Sequence, residues 1–173
     1  MRKKRQLLEN ASYHVTARVN HRKYLLEEQA LKELFLKVVA RAKKKYDFRL
    51  ENFVLMGNHF HFIIKPGKNV SLSDIMKWIL QVVAMHYNRI TGISGHFWEG
   101  RFTSRIIEGF RDFLNVFSYI DHNPVRAGLV KCARLWDWGG IGLRRRGIRG
   151  IVDELPYWLL ALFPQHGQLL LAK

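Results

Sequence analysis

The amino-acid sequence predicts an α+β domain built on a mainly antiparallel sheet that carries helices on one face. Apolar residues alternate with period two in some segments and recur at helical spacing in others, in the order β, α, β, β, α, β, α. Two of the strand-like segments are consecutive and separated only by Gly57-Asn58, which suits a tight hairpin turn. Strands also outnumber what parallel crossovers would need, so the pairing is chiefly antiparallel.

Residues 13–19 place Tyr13, Val15, Ala17 and Val19 on one side and His14, Thr16 and Arg18 on the other, the pattern of a half-buried strand. Over residues 27–46, Leu31, Leu34, Phe35, Val38, Val39 and Ala42 share one helical face. Strands follow over 48–56 and 59–65. Ser71, with Asp74 one turn on, resembles a capping box and opens a helix that runs through Ile75, Ile79, Val82 and Val83 toward Gly92. Residues 95–100 read as a loop and 102–108 as a short strand. A third helix spans 110–123, where Phe110, Phe113, Leu114, Phe117 and Ile120 share a face. It is expected to end near Asn123, because the residue before Pro124 is steered out of the α region. An irregular tail follows, with one last helix starting at Pro156. This order is close to the ferredoxin-like arrangement.

The 173 residues suit one domain, and 48% hydrophobic with 25% charged residues is an ordinary globular composition. That composition excludes a disordered, charge-only nucleic-acid condenser. The net charge of +15 and a pI near 10.3 therefore sit on a folded body and favour a polyanionic partner, nucleic acid ahead of a membrane surface. A single cysteine, Cys132, excludes an intrachain disulfide and a cysteine-based zinc cluster. Apolar runs fall far short of the ~20 residues that span a bilayer. The basic start at Met1 to Arg5 is followed by no apolar signal core, so a cytoplasmic, nucleoid-associated protein is expected.

His59-Phe60-His61 is the most informative triplet. On a strand, both imidazoles point to one face and can converge on one ion, while Phe60 enters the core. Two histidines alone do not make a site and are more often ordinary surface residues on the solvated face of a sheet. Acids are scarce nearby, Asp74 being the only one between Glu51 and Glu99. The helix over 110–123 offers another ligand type: Asp112, Asn115, Tyr119 and Asn123 lie roughly opposite its apolar face, and Tyr119 and Asn123 are neighbours one turn apart. An Asn oxygen can complete a set with two histidines, although a polar helix face is commonly just solvated.

Met56-Gly-Asn-His59-Phe60-His61 resembles the His-hydrophobic-His motif of the HUH nucleases. The segments Gly95-His-Phe-Trp-Glu-Gly-Arg101-Phe and Tyr119-Ile-Asp-His-Asn123-Pro-Val-Arg-Ala-Gly-Leu-Val130 are similar to further signatures of the single-tyrosine HUH transposases, nearest to the REP-associated tyrosine transposases. The resemblance covers residues 13–130. It implies the HUH endonuclease fold and cleavage and rejoining of single-stranded DNA next to short hairpins. It also implies His59, His61 and Asn123 as ligands of Mg²⁺ or Mn²⁺, and Tyr119 as the nucleophile. Tyr87, beside His86 and Asn88, is the rival nucleophile. A domesticated binder of structured DNA or RNA and a water-using hydrolase are the competing functions.

Residues 1–130 would form the transposase domain, with 131–173 a C-terminal extension packed on it. Positive clusters at Arg2, Lys3, Lys4 and Arg5, at Arg18, and at Arg144, Arg145 and Arg146 suggest a track for phosphates. Trp98 beside Arg101 suggests a stacking surface and a phosphate fork, although core packing explains Trp98 equally well. His14 lies on the polar side of the first strand with its role open. The Trp136-Asp-Trp138-Gly-Gly stretch departs from the relatives' usual pattern, which puts the target sequence in doubt. No protein partner is evident, and a monomer is preferred to a dimer.

Overall fold

The computed structural model describes Leu8 and residues 10–167; Arg2, Lys3, Lys4 and Arg5 lie outside them. The chain runs β1 (Tyr13–Arg18), α1 (Gln29–Lys45), β2 (Phe48–Leu55), β3 (His59–Pro66), α2 (Leu72–Thr91), β4 (Thr103–Ile106), α3 (Gly109–Arg126), α4 (Gly140–Arg145) and α5 (Tyr157–Leu162). The four strands make one antiparallel sheet in the order β2-β3-β1-β4. The α+β class is thus the one predicted. The hairpin turn closes with Met56 N–H donating to His59 O at 2.8 Å, and Ser71 Oγ accepts from Asp74 N–H at 3.3 Å to cap α2.

Alternation along the strands divides the side chains between two faces. One face gathers Tyr13, Val15 and Ala17 of β1 with Phe60, Phe62 and Ile64 of β3, and α1 and α2 pack over it. Phe35 of α1 is fully buried with its ring 5.1 Å from Phe60. Burying an aromatic of this size contributes about 1.5–3 kcal/mol.

The sequence reading expects the helices on one face of the sheet, but they cover both. α3 lies on the opposite face, where Val116, Phe117 and Ile120 meet Val54 and Ile63. That face is half apolar and α3 is amphipathic, so each covers the other. α3 also runs past its expected stop, with Pro124 buried inside it. Proline removes only a single donor from the helix. The helix then closes with Ala127 N–H on Asn123 O at 3.0 Å and Leu129 N–H on Pro124 O at 2.9 Å.

Beyond α3 the chain returns along the outer edge of β2. Leu55 N–H donates to Trp138 O at 2.8 Å, and Asp153 N–H to Leu50 O at 3.0 Å. Lys32 of α1 lies 5.3 Å from each of the Trp136 and Trp138 rings, a cationic clamp on the tail. The predicted last helix is α5, capped by Pro156, whereas α4 is an element the sequence reading missed. Gly140 and Gly142 argue against a helix by propensity. The Asn52 amide, however, lies where a Cβ on Gly140 would stand, so close approach selects glycine there.

Candidate active site

His59 and His61 share the face covered by α3, in register with Arg18 and Thr16 of β1. Their rings stand 5.1 Å apart and perpendicular. α3 brings the Tyr119 ring to 5.4 Å from His61, again perpendicular. Asn123, one turn on, hydrogen-bonds with the His59 side chain. Tyr119 is 37% exposed, so its ring keeps contact with solvent. The Arg126 guanidinium lies 5.3 Å over that ring.

Each histidine is held from behind. Asn58 Oδ1 lies 2.7 Å from His59 Nδ1, and Asn58 Nδ2–H donates to Arg22 O at 3.0 Å. His14 places its Nε2 2.9 Å from His61 Nδ1, and its ring 6.0 Å from Tyr119. Both Nδ1 atoms are engaged, so Nε2 is the nitrogen each ring can offer an ion, that of His59 being the one left to meet Asn123. Burial, reinforced by His14, His59 and Arg18, drives the His61 pKa down to about 3. Burial and then Arg105 lower His14 to about 4, against the opposing pull of Asp112. His59 is lowered by burial and Arg18, with the Asn123 hydrogen bond opposing.

Neutral imidazoles with the second nitrogen tied down are what a metal ion requires. Among the described residues no group of three or more His, Cys, Asp or Glu is arranged to hold one. An ion here would therefore use the Asn123 amide oxygen, and His59, His61 and Asn123 fit a divalent cation on the chemistry of the donor set.

The structure brings together four of the predicted residues, His59, His61, Tyr119 and Asn123, with Arg18 exposed beside them. Arg101 is exposed just before β4. Trp98 does not offer a stacking surface. It is 8% exposed, donates Nε1–H to Leu80 O at 2.9 Å and packs against Phe60 and Phe97, because the apolar face needed a large filler there. The arginine run is likewise engaged by the protein's own acceptors, with Arg144 and Arg145 half-buried and Arg146 exposed. Arg144 Nη2 donates to Glu51 O at 2.8 Å and Asp153 O at 2.7 Å, and burial lowers its pKa to about 10. Arg145 pairs with the Asp137 carboxylate at 2.6 Å, and Arg146 Nη2 donates to Asp137 O at 2.8 Å. Tyr87 packs on Phe97 at 4.8 Å in the core of the other face, away from the histidines.

Sequence reasoning left His14 open and missed Arg126 and Asn58 as parts of the site. The signal for His14 was its position on the polar side of β1. For Arg126 it was the spacing from Tyr119, two turns on the same helix face, which an early helix stop concealed.

The family profile described as "Transposase IS200 like" matches residues 8–123, a span that includes all four clustered residues. A solved structure of a REP-associated tyrosine transposase bound to a REP hairpin superposes with a TM-score of 0.72 at 21% identity, over 90% of this chain and 93% of that one. A candidate transposase from Deinococcus radiodurans R1 gives a TM-score of 0.47 at 14% identity, over 70% of this chain and 97% of that one. No curated protein matches significantly.

Proposed function

The chain belongs to the IS200-like transposase family, and on that premise we propose that it cleaves and rejoins single-stranded DNA beside short hairpins through a 5′-phosphotyrosine on Tyr119. The observation that carries this reading is the convergence of Tyr119 of α3 with His59 and His61 of β3, ring to ring at 5.4 Å from His61.

A phenol is a weak nucleophile at neutral pH and has to be aimed and electrostatically supported. Bound at His59, His61 and Asn123, a divalent cation such as Mg²⁺ or Mn²⁺ supplies Lewis acidity to the phosphate under attack. Tyr119 Oη forms a bond to phosphorus, the P–O3′ bond breaks, and the departing oxygen takes up a proton and leaves as a 3′-OH. The phenol proton is released to solvent. Arg126 offsets the negative charge gathered near Tyr119.

His14 serves as an orienting group. With His61 Nε2 reserved for the cation, His61 Nδ1–H donates to His14 Nε2, and His14 then carries its own proton on Nδ1. The phosphodiester bond energy is kept in the tyrosine ester, so a second 3′-OH can reverse the step without ATP.

Arg18 and Arg101 are assigned to the phosphates of the strand, and the hairpin held by the solved relative supports a hairpin-bearing substrate. Tyr119 faces the histidines of its own chain, which supports a monomer as the working unit. The chemistry is assigned to residues 1–130, with 131–173 an extension of the same domain.

The test is a labelled hairpin DNA with a single-stranded flank, incubated with Mn²⁺. The expected result is a covalent protein–DNA adduct that Tyr119→Phe abolishes and His61→Ala loses, while salt-sensitive binding persists in both. An adduct retained by Tyr119→Phe refutes the nucleophile. Cuts without any adduct indicate a hydrolase, and binding without cuts a domesticated binder.

A further inference from the structure

α3 carries a polar side chain that the chemistry above does not use. Asp121, between Tyr119 and Asn123, is 6% exposed. Its Oδ1 accepts from Asn52 Nδ2–H at 2.8 Å, and its Oδ2 lies 2.8 Å from Nε2 of His166. His166 is 2% exposed, and its Nδ1 lies 2.8 Å from Arg144 Nη1. Arg144 in turn donates to the Glu51 and Asp153 carbonyls.

Arginine offers donors only, so His166 Nδ1 must accept and its Nε2–H must donate to Asp121. The polarity of the chain is thereby set from the backbone of β2, through α4 and the tail, to α3. Asp121 stands about 160° round the helix from Tyr119, so the two leave opposite flanks of α3. Rotating α3 by about 10° would swing a tyrosine hydroxyl, roughly 9 Å from the helix axis, through about 1.5 Å. A displacement of about 1 Å at a reacting group costs on the order of a hundredfold in rate. The apolar contacts of Val116, Phe117 and Ile120 press α3 onto the sheet, but non-directional contacts do not set rotation so closely.

We propose that Arg144, His166 and Asp121 form a positioning device that locks the rotation of α3 and so sets Tyr119 and Asn123 over His59 and His61. The proposal rests on Tyr119 being the nucleophile.

Adduct formation with Mn²⁺ at saturating hairpin DNA is measured alongside the Kd for the same DNA, at a temperature where each variant is folded. His166→Leu keeps volume and loses both hydrogen bonds; it should react at least about ten-fold more slowly with Kd within about two-fold of the parent. His166→Gln can donate to Asp121 while accepting from Arg144, and it should recover most of the rate. Asp121→Asn should be slow, because either orientation of its amide sets a donor against Asn52 or His166.

A parental rate in His166→Leu, or a Gln variant as slow as the Leu variant, overturns the proposal. If the parent protein forms no adduct, the functional reading fails instead. The positioning claim is then judged from the imidazole nitrogen NMR signals of His59 and His61. They should shift in His166→Leu as the Tyr119 ring moves above them, and unmoved signals overturn the claim.

Discussion

Three imidazoles packed against one another at the centre of a sheet face resist taking up protons, and that resistance has a consequence for stability. His14, His59 and His61 have folded-state pKa values below the ordinary histidine value of about 6.5. Buried His166 is shifted the same way, by burial first. Below about pH 6.5 the unfolded chain binds these protons while the folded chain resists them, His14 until about pH 4 and His61 until about pH 3, so the unfolded state gains as pH falls through that window. Glu51, raised by burial, works with the opposite sign, one group against four. The urea midpoint of the metal-free protein should accordingly be highest above pH 6.5 and decline toward pH 4.5; a flat midpoint would contradict the burial of neutral imidazoles. Most of the site was legible at this scale, because strand and helix spacing pair His59 with His61 and Tyr119 with Asn123 locally. The His14–His61 contact was not, since it depends on the register of two strands distant in sequence.

Elements were legible wherever hydrophobic periodicity ran long enough, as in α1, α2 and the β2–β3 hairpin. They were not legible where tertiary contacts overrode propensity. Pro124 inside α3 and the glycines of α4 both contradict local preference; Pro124 is buried there, and Gly140 is explained by the Asn52 side chain it meets. Gly140 makes this testable, because replacing glycine by alanine within a helix ordinarily stabilises by about 0.5–1 kcal/mol. Here the added Cβ meets the Asn52 side chain that also holds Asp121. Gly140→Ala should therefore destabilise, by about 1–3 kcal/mol as overpacking does, and a thermal melt decides the sign.

At the scale of the whole molecule, the charge of +15 is divided between surface and structure. Charge counting could not separate the two, because it does not say which arginines bond to backbone carbonyls. Arg18→Ala and Arg101→Ala should each lower the salt-dependence slope of DNA binding by about 1, with little change in stability. Arg144→Ala should do the reverse, leaving the slope alone while lowering the unfolding midpoint, because it strips partners from the Glu51 and Asp153 carbonyls. A titration of Kd against salt, set beside a melt, separates the classes. The return of the tail along β2 matters here as well. An eight-residue outer strand with unpaired amides is a template for edge-to-edge aggregation. Trp138 and Asp153, bonded to Leu55 and Leu50, occupy that edge, and the other edge is the four-residue β4. The extension thus covers the long open edge of the sheet, and with it the amides through which one copy could zip onto another.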